Sequence, residues 1–195
     1  MAKVGLSKSY YAIYTYVEGT GITYSNGGLL GKAVDAEISL DNGDPVKFYA
    51  DNGPAESANV FNGGTLTITN DRLALAPVAA VLGLTTSALT EPASGTRLVF
   101  PADLNVPYVG YGTIRKDITD GSPSYQAIIL YKVQFKVPND SLATQGETVE
   151  FSGQQFTAAI MRNDASPAVW KEIATFADEA NADAYIRTVL SIPST

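Results

Sequence analysis

The sequence predicts a mainly β fold with a minor α component: two packed antiparallel sheets, sandwich-like or barrel-like, with a flanking α-helix and a second short helix. Three observations carry this. Alternating apolar and polar residues, the period of a half-buried strand, recur in segment after segment. Clusters of Gly, Asn and Asp that favour turns separate those segments. Only two stretches have helical spacing, and they do not alternate with strands as a parallel α/β sheet requires. At 195 residues the chain is read as one domain, 1–195, able to bury roughly 70% of the surface its unfolded form exposes.

The elements follow in order. Tyr10 to Val17 is aromatic and β-branched and ends at Gly19-Thr20-Gly21, which reads as a first strand. Asn26 to Ala33 reads as a glycine-rich turn between two strands. From Val34 to Leu40 the residues Val34, Ala36, Ile38 and Leu40 alternate with Asp35, Glu37 and Ser39, the pattern of a half-buried strand. The Asn42-Gly43 turn signal and Val46-Lys47-Phe48-Tyr49-Ala50 make residues 34–50 a predicted hairpin. Asp51 to Asn62 follows neither period and reads as loop, part of a long loop near 41–62.

Gly64 to Thr69 is another alternating strand, after which Asn70 or Asp71 can cap a helix running through Leu82 to Gly83, shortened or kinked by Pro77. The Thr, Ser, Ala and Pro content near 85–105 predicts an exposed insertion, with Leu98-Val99-Phe100 its one candidate strand. Val106 to Asp117 and Tyr125 to Val137 form the strongest predicted hairpin, joined around Thr119 to Pro123. In its second strand Ile129, Tyr131, Val133, Phe135 and Val137 share a core face, and Lys132, Gln134 and Lys136 a wet one. Short strands are expected at Thr148 to Phe151, Gln155 to Met161 and Val169 to Phe176. Asp178 to Leu190 has the clearest helical spacing.

Composition then narrows the chemistry. Cysteine and histidine are both absent, which removes thiolate nucleophiles, disulfides and every constellation built on imidazole. A formal charge of -7 argues against a phosphate-binding surface of clustered Lys and Arg. We read no export signal behind Met1 to Ser9 and no apolar run long enough to span a bilayer. The sequon Asn139-Asp140-Ser141 carries no weight in a chain made in the cytoplasm.

The remaining motifs are weak. Asn26-Gly27-Gly28-Leu29-Leu30-Gly31-Lys32-Ala33 resembles a phosphate loop but lacks Gly at its start and Ser or Thr at its end. Asp35 and Glu37 share a strand face with Cα atoms roughly 7 Å apart, a spacing that paired carboxylates could use on a glycoside. We read them instead as the solvated side of an amphipathic strand. Glu147 and Glu150, three apart, fall on opposite faces of a strand. Tyr10, Tyr14 and Tyr16 share a face that could stack on sugars, although cross-strand packing is the simpler reading.

Several segments, in order, resemble the major tail protein, or tail tube protein, of long-tailed bacteriophages. They are Thr23 to Gly27, Leu30 to Ala33, Phe48 to Asn52 with Ala55-Glu56, Gly63 to Thr67, Leu82-Gly83, Pro107 to Gly112, Leu130 to Phe135, Gly146 to Phe151 and Trp170-Lys171. Residues near 85–105 depart from the pattern.

The resemblance implies a non-enzymatic subunit that joins copies of itself into hexameric rings, stacked as a hollow tube. A tape measure protein occupies the tube first, tail-end proteins close it, and DNA later passes without specific binding. No cofactor, metal or membrane is implied, and the product is a virion component. The resemblance also implies that the loop from Asp41 to Asn62 reaches the next ring, with Phe48, Tyr49 and Phe61 as apolar anchors and Asp51, Asn52 and Glu56 as polar contacts. Rival readings are the tube protein of a contractile tail or type VI secretion system, a carbohydrate-binding β-sandwich using Tyr14, and a hydrolase using Asp35 and Glu37.

Overall fold

The computed structural model describes residues 2–41, 46–50, 53–58, 61–71, 74–91, 93–119, 121–138 and 154–193. Twelve strands and two helices lie among them: β1 (Ala2–Val17), β2 (Gly21–Gly31), β3 (Ala33–Leu40), β4 (Val46–Ala50), β5 (Gly53–Ala58), β6 (Gly64–Asn70) and α1 (Leu75–Leu82). After these come β7 (Thr86–Leu89), β8 (Gly95–Leu98), β9 (Val109–Thr119), β10 (Ser122–Phe135), β11 (Gln154–Met161), β12 (Lys171–Phe176) and α2 (Glu179–Val189).

Eight strands form one antiparallel sheet in the order β2-β1-β9-β10-β11-β6-β3, with β12 added beside β10. The sheet folds over itself, because the first half of β10 pairs with β12 and its last residues pair with β11. Strand β3 thereby comes back against β1. One layer is β2-β1-β9-β10-β12 and the other is β11-β6-β3. Between them lies the main core, with Tyr11, Leu66, Ile68, Tyr111, Leu130, Val133, Phe135, Phe156 and Ile160 from the sheet and Val81 and Leu82 from α1. The predicted fold class is therefore what the chain adopts.

Helix α2 covers the outer face of the first layer, where Ala182, Ile186 and Leu190 pack on Tyr10, Ala12, Ile114, Ala127 and Ile129. The sequence starts it cleanly: Asp178 accepts a hydrogen bond from the Asn181 amide at 2.7 Å, satisfying a donor that the first helical turn leaves unpaired. Glycines let the helix sit close. A Cβ on Gly112 would lie 2.5 Å from Ile186 Cγ2, and one on Gly110 would lie 2.6 Å from Leu190 Cδ2.

A polar cluster at the edge of this contact fixes the helix in register. Asp183 accepts from Tyr10 Oη at 2.5 Å and forms ion pairs with Lys8 and Arg187, both at 3.0 Å. Burial pushes the Asp183 carboxyl up, but hydrogen bonds from Tyr10 and Lys8 and the charges of Lys8 and Arg187 outweigh it and hold it below the usual Asp value.

Several expectations need correction. The hairpin over 34–50 does not form, since β3 pairs with β6 and β4 pairs with β5. Residues 53–58, expected as loop, are that second strand. The glycine-rich turn at 26–33 is mostly strand β2, and Gly27 is needed because a Cβ there would lie 2.6 Å from Ile192 and 2.9 Å from Ala12. The first strand begins at Ala2, eight residues earlier than expected.

Helix α1 is capped by Ala74, not by Asn70 or Asp71, and Pro77 sits in its first turn, where no amide is required of it. Gly83 does end it, in the left-handed region at φ 68°. The 85–105 insertion holds a small hairpin, β7 with β8. Strand β10 is buried on both faces, not one: Ala127, Ile128, Ile129 and Leu130 are all buried, because α2 covers one side and the second layer the other. The strand expected at 148–151, with Glu147 and Glu150, lies outside the described residues.

Two outcomes follow for the helix contact. Gly112→Ala should lower stability by about 1–3 kcal/mol, measured by urea unfolding, because the added methyl overlaps Ile186 in a packed layer. A carboxyl held low in the folded state stabilises above the ordinary Asp value of about 4 and loses that contribution as pH falls through its folded pKa. Asp183→Asn should therefore be less stable than wild type at pH 7, with the two converging in acid-melt experiments as pH falls through the lowered Asp183 pKa.

Candidate assembly interface

The segment singled out for inter-ring contact emerges from the junction of β3 and β6. These strands pair from Ala33↔Asn70 to Leu40↔Gly64, and the Asp41 amide donates to the Gly63 carbonyl at 3.0 Å, so the chain leaves and returns at one neck. Beyond the neck, β4 and β5 form a separate two-stranded sheet. Its register sets Phe48 opposite Glu56 and Tyr49 opposite Pro54, with an irregularity between Phe48 and Tyr49. Three of the six candidate contact residues, Phe48, Tyr49 and Glu56, lie on this hairpin. Asp51 and Asn52 lie outside the described residues.

Phe61 is placed differently. It is half-buried and stacks on Trp170, with ring centroids 4.7 Å apart and planes 6° from parallel. Both rings pack against the main core. The apolar surface of Phe61 is therefore spent within the subunit, at the base of the hairpin.

Among the described residues no helix covers the outer face of the second layer. Successive cross-strand positions on it are Asp35, Thr69 and Gln155, then Glu37, Thr67 and Thr157, then Ser39, Thr65 and Ala159. The threonines are half-buried, and Asp35, Glu37 and Ser39 are exposed. Their alternation partners Leu66, Ile68, Phe156, Ala158 and Ile160 fill the core beneath. On the β10 side this face ends at Lys132, whose ammonium is bound to Asp164 at 2.7 Å and lies 4.5 Å from the centroid of Tyr108. The face is thus acidic along β3, neutral through its centre, and basic only at its β10 margin.

Of the tyrosines expected to share a face, Tyr10 and Tyr14 do share the α2-side face of β1. Tyr10 and Ala12 pack with α2 while Tyr11 and Ile13 face the main core, and the Tyr14 ring meets Tyr24, which packs against the α2 cluster, edge-on at 5.9 Å. Tyr10 is buried under α2, and Tyr14 is buried with its hydroxyl bonded to Asp164 at 2.8 Å. Tyr16 alone is exposed. An aromatic platform for sugars is therefore not formed by these three residues.

The other titratable clusters tie elements together. Glu172 on β12 accepts from both Tyr131 of β10 and Tyr185 of α2. Burial first, then the hydrogen bond to Glu172, pushes Tyr131 upward, and for Tyr185 the Glu172 hydrogen bond is the larger cause. Burial, with the Asp164 carboxylate, pushes Tyr14 up to about 12. These phenols stay protonated donors at neutral pH. Among the described residues no three His, Cys, Asp or Glu side chains are grouped to hold a metal ion, and no helix is long and apolar enough to cross a membrane.

Sequence reasoning missed the Phe61–Trp170 stack and the Lys132–Asp164–Tyr108 cluster. Each joins residues more than twenty apart, so no local pattern signals it. The chain matches no protein-family model and no curated protein.

Trp170 is the single tryptophan, so its emission reports on the hairpin base. Phe61→Ala should cost about 1–3 kcal/mol and shift the Trp170 emission to longer wavelength as water reaches the exposed indole face.

Proposed function

We propose that this protein is the structural subunit of a phage tail tube, joining copies of itself into hexameric rings that stack into a conduit for DNA. The observation that carries the reading is the asymmetry of the folded sheet. One outer face is sealed by α2, whereas among the described residues the other is polar, carries no helix and is bounded by the edge strand β3.

A lone soluble subunit has little use for an uncovered face with unpaired edges, because such edges invite pairing with other chains. A ring uses both features at once. Edges β2, β3 and β12 each have one neighbour within the sheet, leaving backbone groups for lateral contact in a closed head-to-tail interface. The face of β3, β6 and β11 would then line the lumen, with Asp35 and Glu37 toward passing DNA. Carboxylates on that wall repel phosphate, so DNA slides past without a specific partner.

On this reading the β4–β5 hairpin, with Phe48, Tyr49 and Glu56, reaches the next ring, and Asp51 and Asn52 of the same segment make polar contacts there. The protein is a structural component of the virion and not an enzyme. A tape measure protein fills the lumen before DNA does, and tail-end proteins cap the tube.

Negative-stain electron microscopy of the concentrated protein, with its mass in solution, tests this directly. Rings or tubes with a central hole are the expected result. Deleting residues 52–59 should leave a folded subunit that makes no tubes. A chain that stays monomeric at every concentration, even with the tail-end complex added as initiator, would overturn the reading.

A further inference from the structure

Charge is distributed unevenly along the cross-strand rows of the second layer. One row runs Glu37, Thr67, Thr157 and Lys136, completed by the Lys136 amide, which donates to the Thr157 carbonyl at 2.8 Å. The row beside it runs Ser39, Thr65, Ala159 and Gln134. An acid therefore stands at the β3 end of the first row and a base at its β10 end, with uncharged residues between them.

The two margins have the same sense as wholes. From 33 to 41, β3 and its end carry Asp35, Glu37 and Asp41 and no base. From 131 to 138 and from 154 to 164, the opposite margin carries Lys132, Lys136, Arg162 and one acid, Asp164. Lys132 and Asp164 offset each other at 2.7 Å, which leaves Lys136 and Arg162. Asp35, Glu37, Lys136 and Arg162 are all exposed. Among the described residues none of these four forms an ion pair within the subunit.

Strand geometry lets the margins of two copies meet. Strand β3 is an edge. Strand β9 begins at Val109, level with Val133, so Lys136 lies past its start and no described strand flanks it on that side. Strands β10, β11, β6 and β3 are successive antiparallel neighbours. A second copy set beside the first in the same orientation therefore presents its β10 antiparallel to β3, with Lys136 level with Glu37. Such a contact is heterologous, because each copy keeps one unused margin for the next. Within one copy the two margins are three strand spacings apart, about 14 Å, and cannot meet.

We infer that the acidic edge of β3 in one copy docks on the basic margin of β10 in a second copy of this chain, with Glu37 against Lys136. The inference rests on the self-assembly reading and specifies one of its contacts. In a tube, the pairing would also offset an exposed base on the wall that faces DNA.

The test uses the full chain, with solution mass measured across concentration. Glu37→Lys and, separately, Lys136→Glu should each weaken association at least about tenfold, because reversal sets like charges against each other at the contact. Both side chains are exposed, so unfolding midpoints should stay at the wild-type value. Mixing the two variants should restore association, since every contact between unlike copies again joins an acid to a base. The chain has no cysteine, so Glu37→Cys with Lys136→Cys adds a second readout. The two positions are too far apart for a disulfide within one copy, and oxidation should link separate copies into a ladder of multimers. Wild type that associates while both reversals associate equally well, and while the cysteine pair forms no linked multimers, would overturn the inference and leave the assembly reading standing. Wild type that never associates removes both.

Discussion

Strand β10 belongs to both layers, and the rest of the architecture depends on that. Up to Leu130 it pairs with β9 and β12, and from Lys132 it pairs with β11. Side chains on a regular strand alternate faces, so a continuous β10 would aim its second half away from the core it must build. The irregularity between Leu130 and Val133 resolves this. Before it, Leu130 faces the main core and Ile129 faces α2. After it, Val133 and Phe135 face the main core. A shift at this one place turns a flat sheet into two layers with different coverings.

The tyrosine content follows from the same geometry. Elements brought together by folding the sheet are distant in sequence, and phenols supply both apolar area and a polar tip to join them. Tyr10 reaches Asp183 on α2, Tyr14 reaches Asp164 before β12, and Tyr24 donates to the Tyr131 carbonyl at 2.8 Å. Burial pushes all three hydroxyls upward, so they remain donors to carboxylates and carbonyls across neutral pH. These rings are mortar inside the subunit, which is why so few of them are left at the surface for stacking.

Local signals in the sequence were reliable where a single element determined the outcome. The β9–β10 hairpin, β6, β11, the left-handed Gly83 stop and the Asp178 cap on α2 all follow from period or turn chemistry within a few residues. The signals failed where pairing was decided at a distance. Asn42-Gly43 after an alternating strand reads as a hairpin, yet β3 finds β6 because Ala36 and Ile38 need the core that Leu66 and Ile68 share. Gly27 reads as a turn residue until Ile192, at the other end of the chain, is packed against it. Of the candidate contact residues, Phe48, Tyr49 and Glu56 stay on a separate hairpin, whereas Phe61 is drawn into the subunit by Trp170, a partner that lies 109 positions away by simple subtraction.

If the proposed assembly holds, the subunit must keep edges available without pairing them wrongly, and the charges of β3 bear on that choice. Two β3 edges meeting in an isologous antiparallel pair would set Asp35 and Glu37 of each copy against the same acids of the other. Like charges directly opposed across strands are destabilising, so self-complementary dimers through this edge are disfavoured. A different surface with the opposite charge meets no such penalty. On the proposed assembly reading, acids on this edge strand disfavour the closed two-fold dimer without penalising the head-to-tail contacts that rings and stacks would need.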